Sequence, residues 1–336
     1  MSGKRPMCKS GSITYNKRYV LSRRALIFWT LFIGTGALWG SLCMLIDPSG
    51  KILRMDGMLP YFQVLPFAET LFRDYIFSGI ALLIVNGLTN LTAAFLLFRR
   101  KKAGELLGGA FGVTLMLWIV IQFIIFPFNF LSTAYFIFGA LQSLTGALCL
   151  IGRAQSEFAA ALKEKIENNG YGRVGLNGKK LVVYFSRKGY VKKIAYDLAN
   201  ASGADIFALS VNERTKGNAG FWWCGRYGML RRPMEISALP ENLGFYDEVT
   251  VCFPVWVFGI CAPVKDFLIK AKGQVRAVRY AAVHFMNASF RSLADEADSL
   301  IGLKRLSFQS YRCRFGKIKN VTPAPVATPG ENPDKN

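Results

Sequence analysis

Long stretches without a single charge decide what the first half of this 336-residue chain can become. Ala25 to Ile46 runs 22 residues with no charged side chain, Tyr75 to Phe98 runs 24, and 47 residues separate Glu105 from Arg153. About 20 apolar residues in a helix cross the hydrocarbon core of a bilayer, where only a helix or a closed barrel satisfies its own backbone. The first two runs each make one span. The third is too long for one and suits two, turning at Pro127-Phe128-Asn129. Four spans are therefore expected, near 25–46, 75–98, 105–126 and 130–151. A secretory signal also starts basic, but its apolar core is shorter and a small residue precedes the cut. Here Leu42 stands at that place in Gly40-Ser41-Leu42-Cys43, so the first span is expected to stay uncleaved.

Basic residues set the expected orientation. Residues 1–24 hold seven Lys and Arg with no acidic residue, and Arg99 to Lys102 are all basic. The 47–74 loop has three basic and four acidic residues, and the 127–129 turn has none. Both termini are thus expected in the cytoplasm, with the protein integral to the cell inner membrane and the lipid bilayer as its partner. No ionisable residue lies in the middle of a span, which argues against a proton relay, ion site or voltage sensor. Asn86, Asn90, Gln122 and Gln142, with the Gly36/Gly40 and Gly108/Gly112 pairs, read as interhelical glue.

The formal charge of +21 does not gather on a nucleic-acid module, and many basic residues flank the apolar runs. An anionic membrane surface is the expected counterpart, and nucleic acid is not. Seven cysteines form no C-x-x-C pair and make an odd count, which argues against a disulfide framework, a zinc site or an iron–sulfur cluster. No metal is expected. A single histidine, His284, excludes haem held between two histidines of a helical bundle.

Beyond Arg153 the pattern changes. Residues 153–179 read as an amphipathic helix, with Phe158, Ala161, Leu162 and Ile166 on one face, followed by the glycine-rich linker Asn169–Gly178. From Lys180 an apolar run, Leu181 to Phe185, breaks at Ser186-Arg187-Lys188-Gly189 and gives way to helical spacing in Val191, Ile194, Ala195, Leu198 and Ala199. A strand that turns on glycine into a helix aims backbone N–H groups at one spot, which attracts phosphate. Further strands are expected at 205–211, 248–253, 275–285 and 304–313, with helices at 262–272 and 292–301. The alternation predicts an α/β domain over 180–320 with a five-stranded parallel sheet in the order 2-1-3-4-5. Its ligand crevice would lie beside the ends of the first and third strands. Residues 321–336, rich in Pro and polar side chains, are expected to be disordered.

Two motifs carry a resemblance. Lys180 to Ala199 is similar to the first strand, phosphate loop and first helix of the flavodoxin family, whose loop usually reads S-x-T-G-N-T. Ser186 and Gly189 match, while Lys188, Tyr190 and Val191 replace a threonine, an asparagine and a second threonine. Tyr246 to Leu268 resembles the family's third strand, aromatic loop and following helix through Tyr246-Asp247, Pro254-Val255-Trp256, Pro263 and Phe267-Leu268. The resemblance spans about 180–313. It implies FMN, with Ser186, Arg187, Lys188, Gly189, Tyr190 and Val191 at the phosphate. Pro254, Val255, Trp256, Val257, Phe258 and Gly259 would lie at the flavin ring, Trp256 stacking on it. It implies electron transfer or flavin-dependent reduction, with a redox protein or NAD(P)H as partner, and assigns no catalytic side chain. His284 opens a loop that replaces the family's Gly/Ser-rich one and reads as a structural hydrogen-bonder before an acid–base group.

The insert Asn212–Phe245, with Phe221-Trp222-Trp223-Cys224 and Arg231-Arg232, suits a lid over the ligand or a pad at the headgroup level. Cys224 is its candidate reactive thiol. The altered phosphate loop supports an alternative reading: a degenerate flavodoxin-like domain with a non-catalytic sensory or binding role on a membrane scaffold. A third gives the main role to the helices.

Overall fold

The computed structural model describes residues 13–322, and these form two compact units that meet between Ser156 and Glu157. The first dozen residues of the basic N-terminus and most of the tail expected to be disordered lie outside the described residues. Val321 and Thr322, at the start of that tail, are bonded to Ser310 through its carbonyl and its N–H.

The first unit is helical. Helix α1, Lys17–Ile46, starts eight residues before the apolar run because the Asn16 side chain accepts the Tyr19 N–H at 2.8 Å and caps it. After it, Asp47 braces a turn through Ser49 and Ile52, a 3-10 segment covers Asp56–Val64, and α2 is a single turn, Ala68–Leu71. Helices α3, Ile76–Leu82, and α4, Thr89–Phe98, join through a π-helical turn, Leu83–Leu88, into one rod. Helix α5 spans Lys102–Ile125 and α6 spans Phe130–Glu167. Among the described residues, four rods are thus long and apolar enough to cross a membrane.

The polar residues expected as glue lie inside this unit. Gln142 donates to the Asn90 Oδ1 and the Gly108 carbonyl, both at 2.7 Å, and Asn90 donates to the Asn86 carbonyl at 2.9 Å. Gly112 lets α5 approach α6 closely: a Cβ there would sit 2.5 Å from the Gly139 carbonyl oxygen. The two charges that bracket the 47-residue uncharged run meet each other. Arg153 binds Glu105 through Nε at 2.8 and 2.9 Å and through Nη2 at 2.5 Å. Helices α5 and α6 must be antiparallel for that contact to form.

The second unit is α/β. Its elements are β1 Asn177–Tyr184, α7 Tyr190–Ser202, β2 Ala204–Ala208, α8 Gly217–Met229, β3 Glu248–Trp256, β4 Gly259–Ile260, α9 Ala262–Lys270, β5 Val278–His284, α10 Ser292–Ile301, β6 Ser307–Arg314 and β7 Lys317–Asn320. Strand order is β2-β1-β3-β5-β6-β7, with β4 paired to β3. The five parallel strands β2-β1-β3-β5-β6 keep the expected 2-1-3-4-5 order. The expectation of a purely parallel five-stranded sheet is corrected: the sheet is mixed and has seven strands, because β4 and β7 add antiparallel. Both extra strands are too short or too polar to show periodicity; β7 reads Lys-Ile-Lys-Asn. Parallel strands covered on both faces read as continuous apolar runs. Leu181 and Val183 accordingly join a core on one face, and Val182 and Tyr184 a separate core on the other.

Candidate functional site

Five parallel strands bring their carboxyl ends to one edge, where β1 and β3 neighbour each other at the point of reversal. After β1 the chain turns on Gly189 at φ +89, and the Ser186 hydroxyl accepts the Gly189 N–H at 3.1 Å. Helix α7 begins immediately. Its first intrahelical bond runs from the Lys193 N–H to the Gly189 carbonyl, so the N–H groups of Tyr190, Val191 and Lys192 have no partner within the helix. Main chain in this geometry can cradle an anion.

The side chains of this loop do other work. Arg187 donates to the Thr215 carbonyl at 2.7 Å and the Gly217 carbonyl at 3.3 Å, and its guanidinium lies over Phe221, tying the loop to the start of α8. The Tyr190 ring lies 4.5 Å from that of Phe158, and its hydroxyl accepts the Gly316 N–H. Val191 is buried in the core, while Lys188 is exposed. A Cβ on Gly189 would stand 3.6 Å from Leu162 and Phe158, so the last turns of α6 form an apolar wall beside the cradle. Neither residue was assigned to a site from the sequence, although the amphipathic pattern of 156–168 was visible.

After β3 the expected aromatic loop is a hairpin. Val255 pairs with Ile260 and Trp256 with Gly259, leaving Val257 at φ 46 and Phe258 at φ 58 as the two turn residues. Such turns favour Asn-Gly, and a β-branched residue at positive φ is a genuine outlier, costing on the order of 1–3 kcal/mol. The turn holds Phe258 outward, 6.4 Å from the Phe290 ring. Pro254 and Val255 stay in strand pairing. Trp256 is half-buried, meets Phe185 edge-on at 5.6 Å and packs against the core. Gly228 of α8 approaches it so closely that a Cβ would lie 3.3 Å from the Trp256 Cβ and 3.0 Å from Val257. Arg231 lies against Gly259. Phe258 is thus the exposed aromatic of this edge, with Trp256 and Phe290 half-buried beside it; Phe290 is a residue that sequence reasoning did not single out.

His284 ends β5 and is buried. Its Nδ1 faces the Met286 carbonyl at 3.0 Å, which can only accept, so Nδ1 carries the proton. Nε2 then accepts from the Ser310 hydroxyl at 2.8 Å. Burial pushes the pKa of the imidazole below its ordinary value of 6.5. Both nitrogens are engaged and the ring is neutral, the arrangement of a structural hydrogen-bonder. Cys224 is buried on the inner face of α8, and burial pushes its thiol up, which makes it inert. No group of three or more metal-ligating side chains occurs among the described residues.

The helical unit has a separate feature. A cavity of ≈ 160 Å³ lies under the 47–75 segment, lined by aromatic and methionine side chains such as Phe62, Phe72, Tyr75, Trp118, Met44 and Met55.

No protein-family model matches the chain, and no curated protein does. Among solved structures, a candidate flavoprotein from Bacteroides eggerthii is similar at 22% identity and TM-score 0.36, covering 40% of this chain and 88% of that one. A flavoprotein from Lactobacillus acidophilus, solved in complex with FMN, follows at 18% and 0.33, covering 40% and 93%. The Trp repressor binding protein of Bacillus subtilis is similar at 12% and 0.31, covering 40% and 88%. At these scores the likenesses add nothing to what strand order and site geometry establish.

Proposed function

We propose that this protein is a membrane-anchored flavodoxin-like protein whose α/β unit binds FMN, serving electron transfer or flavin-dependent reduction at the cytoplasmic membrane face. The observation that carries the reading is the cradle at the start of α7. Gly189 in the left-handed region opens three backbone N–H groups at the reversal point of the sheet, beside the strained Val257-Phe258 turn. Those groups suit a phosphate monoester, and Phe258 with Phe290 suits a flat conjugated ring. The flavin, when bound, supplies the redox chemistry.

This chain's residues would bind and orient. The main chain of Tyr190 to Lys192 would hold the phosphate, with the Lys188 ammonium adding charge. Ser186 would keep the loop in shape through Gly189. Trp256 would support the ring-side turn from below, with Phe258 as the stacking surface. His284, bonded at both nitrogens, would brace the neighbouring loop without moving a proton. The four apolar helices would anchor the unit, with both termini on the side where basic residues accumulate. A redox protein or NAD(P)H would exchange electrons with it.

An absorption spectrum of the purified full chain in detergent, before and after adding FMN, tests this. Flavin bands retained through desalting, and lost with Lys188→Glu or Phe258→Ala, are the expected result. A spectrum that stays flat at saturating FMN retires the redox reading. It would favour the second one, a non-catalytic binding domain. That reading draws on Phe158 and Leu162 beside the cradle and on Arg187 and Tyr190 being engaged inside the fold.

A further inference from the structure

The carboxyl edge of the sheet carries exposed aromatic and methionine surface besides Phe258. Trp222 is 76% exposed and Met229 70%, Phe285 is 69% exposed and Phe315 66%, and Phe258 is also exposed. They come from four segments: α8 after β2, the β3–β4 turn, the residue after β5, and the β6–β7 turn. Because β2, β3, β5 and β6 all run parallel, these segments share one edge.

Three features mark that edge as a contact surface. First, α8 is pinned by one face only. Gly220, Cys224 and Gly228 are buried and four residues apart, so Trp222 and Met229, seven apart, fall on the opposite face. Second, two turn tips place phenylalanine where the backbone favours Asn or Gly. Phe258 at φ 58 and Phe315 at φ 47 both carry the strain of positive φ while remaining exposed. Strain of this kind persists where it has a use. Third, the surrounding charge has one sign. Residues 212–232 contain five basic side chains and one acidic, and that one, Glu213, already accepts hydrogen bonds from Trp223 and Tyr227.

Exposed Trp, Phe and Met among arginines is the composition of surfaces that insert into the headgroup region of anionic bilayers. A polyanion such as nucleic acid would engage the arginines but leave Met229, Phe285 and Phe315 in water. The chain's own connectivity permits such a contact. Phe158, which packs on Tyr190 at this edge, comes only five residues after Arg153, where the apolar run ends. Five residues reach at most about 18 Å.

We propose that the carboxyl edge of the sheet, with α8 as its main contact, docks on an anionic lipid surface. The docking rests on the reading of the apolar helices as membrane spans and does not depend on FMN. If that site does take a flavin, the same surface turns it toward lipid-phase or membrane-bound reactants.

The test is hydrogen exchange of the full chain in nanodiscs of phosphatidylcholine, with and without phosphatidylglycerol. Docking slows exchange across 217–232, 285–290 and 314–317 in the anionic discs, and added salt reverses it. Each basic residue near such a surface changes the docked-to-free ratio about fivefold. Arg226→Gln, Arg231→Gln and Arg232→Gln together should therefore lower it about a hundredfold and abolish the protection. The exposed pair Trp222→Ser and Met229→Ser does the same while leaving the core untouched. Equal exchange in both lipids overturns the proposal, as does protection that appears only when a protein partner is added. A chain that stays in the aqueous phase and never enters discs would instead sink the spanning reading.

Discussion

Replacing Glu105 by alanine removes one of the most heavily used acceptors in the helical unit. Its carboxylate is 1% exposed and takes bonds from Arg153 Nε and Nη2 and from the Tyr19 hydroxyl at 2.7 Å. Arg153, 10% exposed, would lose its carboxylate partner and keep neutral acceptors, including the Tyr19 hydroxyl at 2.9 Å and weaker contacts at 3.3 Å to the Tyr15 hydroxyl and the Arg100 carbonyl. Breaking a buried pair costs about 3–5 kcal/mol, because one charge is left uncompensated. Arg153 is long enough to swing toward water, so Glu105→Ala should fall near the lower end, about 3 kcal/mol. Arg153→Met strands the less mobile carboxylate and should cost about 4 kcal/mol. In the double variant neither charge is stranded, and its cost should be less than the sum by about 2 kcal/mol or more. Reversible unfolding in mixed micelles with increasing dodecyl sulfate, followed by circular dichroism, measures all three. Costs that add to within about 0.5 kcal/mol would show that the two residues act independently, and the reasoning would fail.

Two further outcomes follow from the α/β unit. Gly189→Ala should destabilise it by about 1 kcal/mol in denaturant melts, from the positive φ alone, since the new Cβ would stand 3.6 Å from its neighbours in ordinary contact. A loss of several kcal/mol would mean that the α6 wall is tighter than the structure has it. His284 has a folded pKa below 6.5, so on acidification the unfolded chain binds its proton first. Stability should be level above that value and fall as pH drops below it toward the folded pKa. His284→Asn should flatten this part of the pH profile of unfolding.

Much of the architecture was legible because the signals are local. A run of 22 uncharged residues has few alternatives to a long apolar helix, and Leu181 to Phe185 followed by Gly189 and helical spacing has few alternatives to a strand–turn–helix. Alternation of such units then leaves the parallel order β2-β1-β3-β5-β6 as the economical solution. The short additions escaped notice. Two residues of β4 and the polar β7 become strands only because β3 and β6 present edges for them to pair with.

The chain by itself determined where apolar surface must be buried and where backbone donors must converge, since period, charge and glycine placement act within a few residues. Tertiary structure alone decided what each site side chain touches. Arg187 and Tyr190 lie in the phosphate loop by sequence, yet they bond to Thr215 and to Gly316, residues far along the chain. Trp256 reads as a stacking residue in sequence, and packing sets it half-buried with Phe185 and Gly228 against it, beside the exposed Phe258. Glu105 and Arg153 bracket an uncharged run on paper and form a buried pair only when the antiparallel return of α5 and α6 brings them together. Periodicity says that a face will be covered; which distant segment covers it depends on packing, which no local pattern encodes.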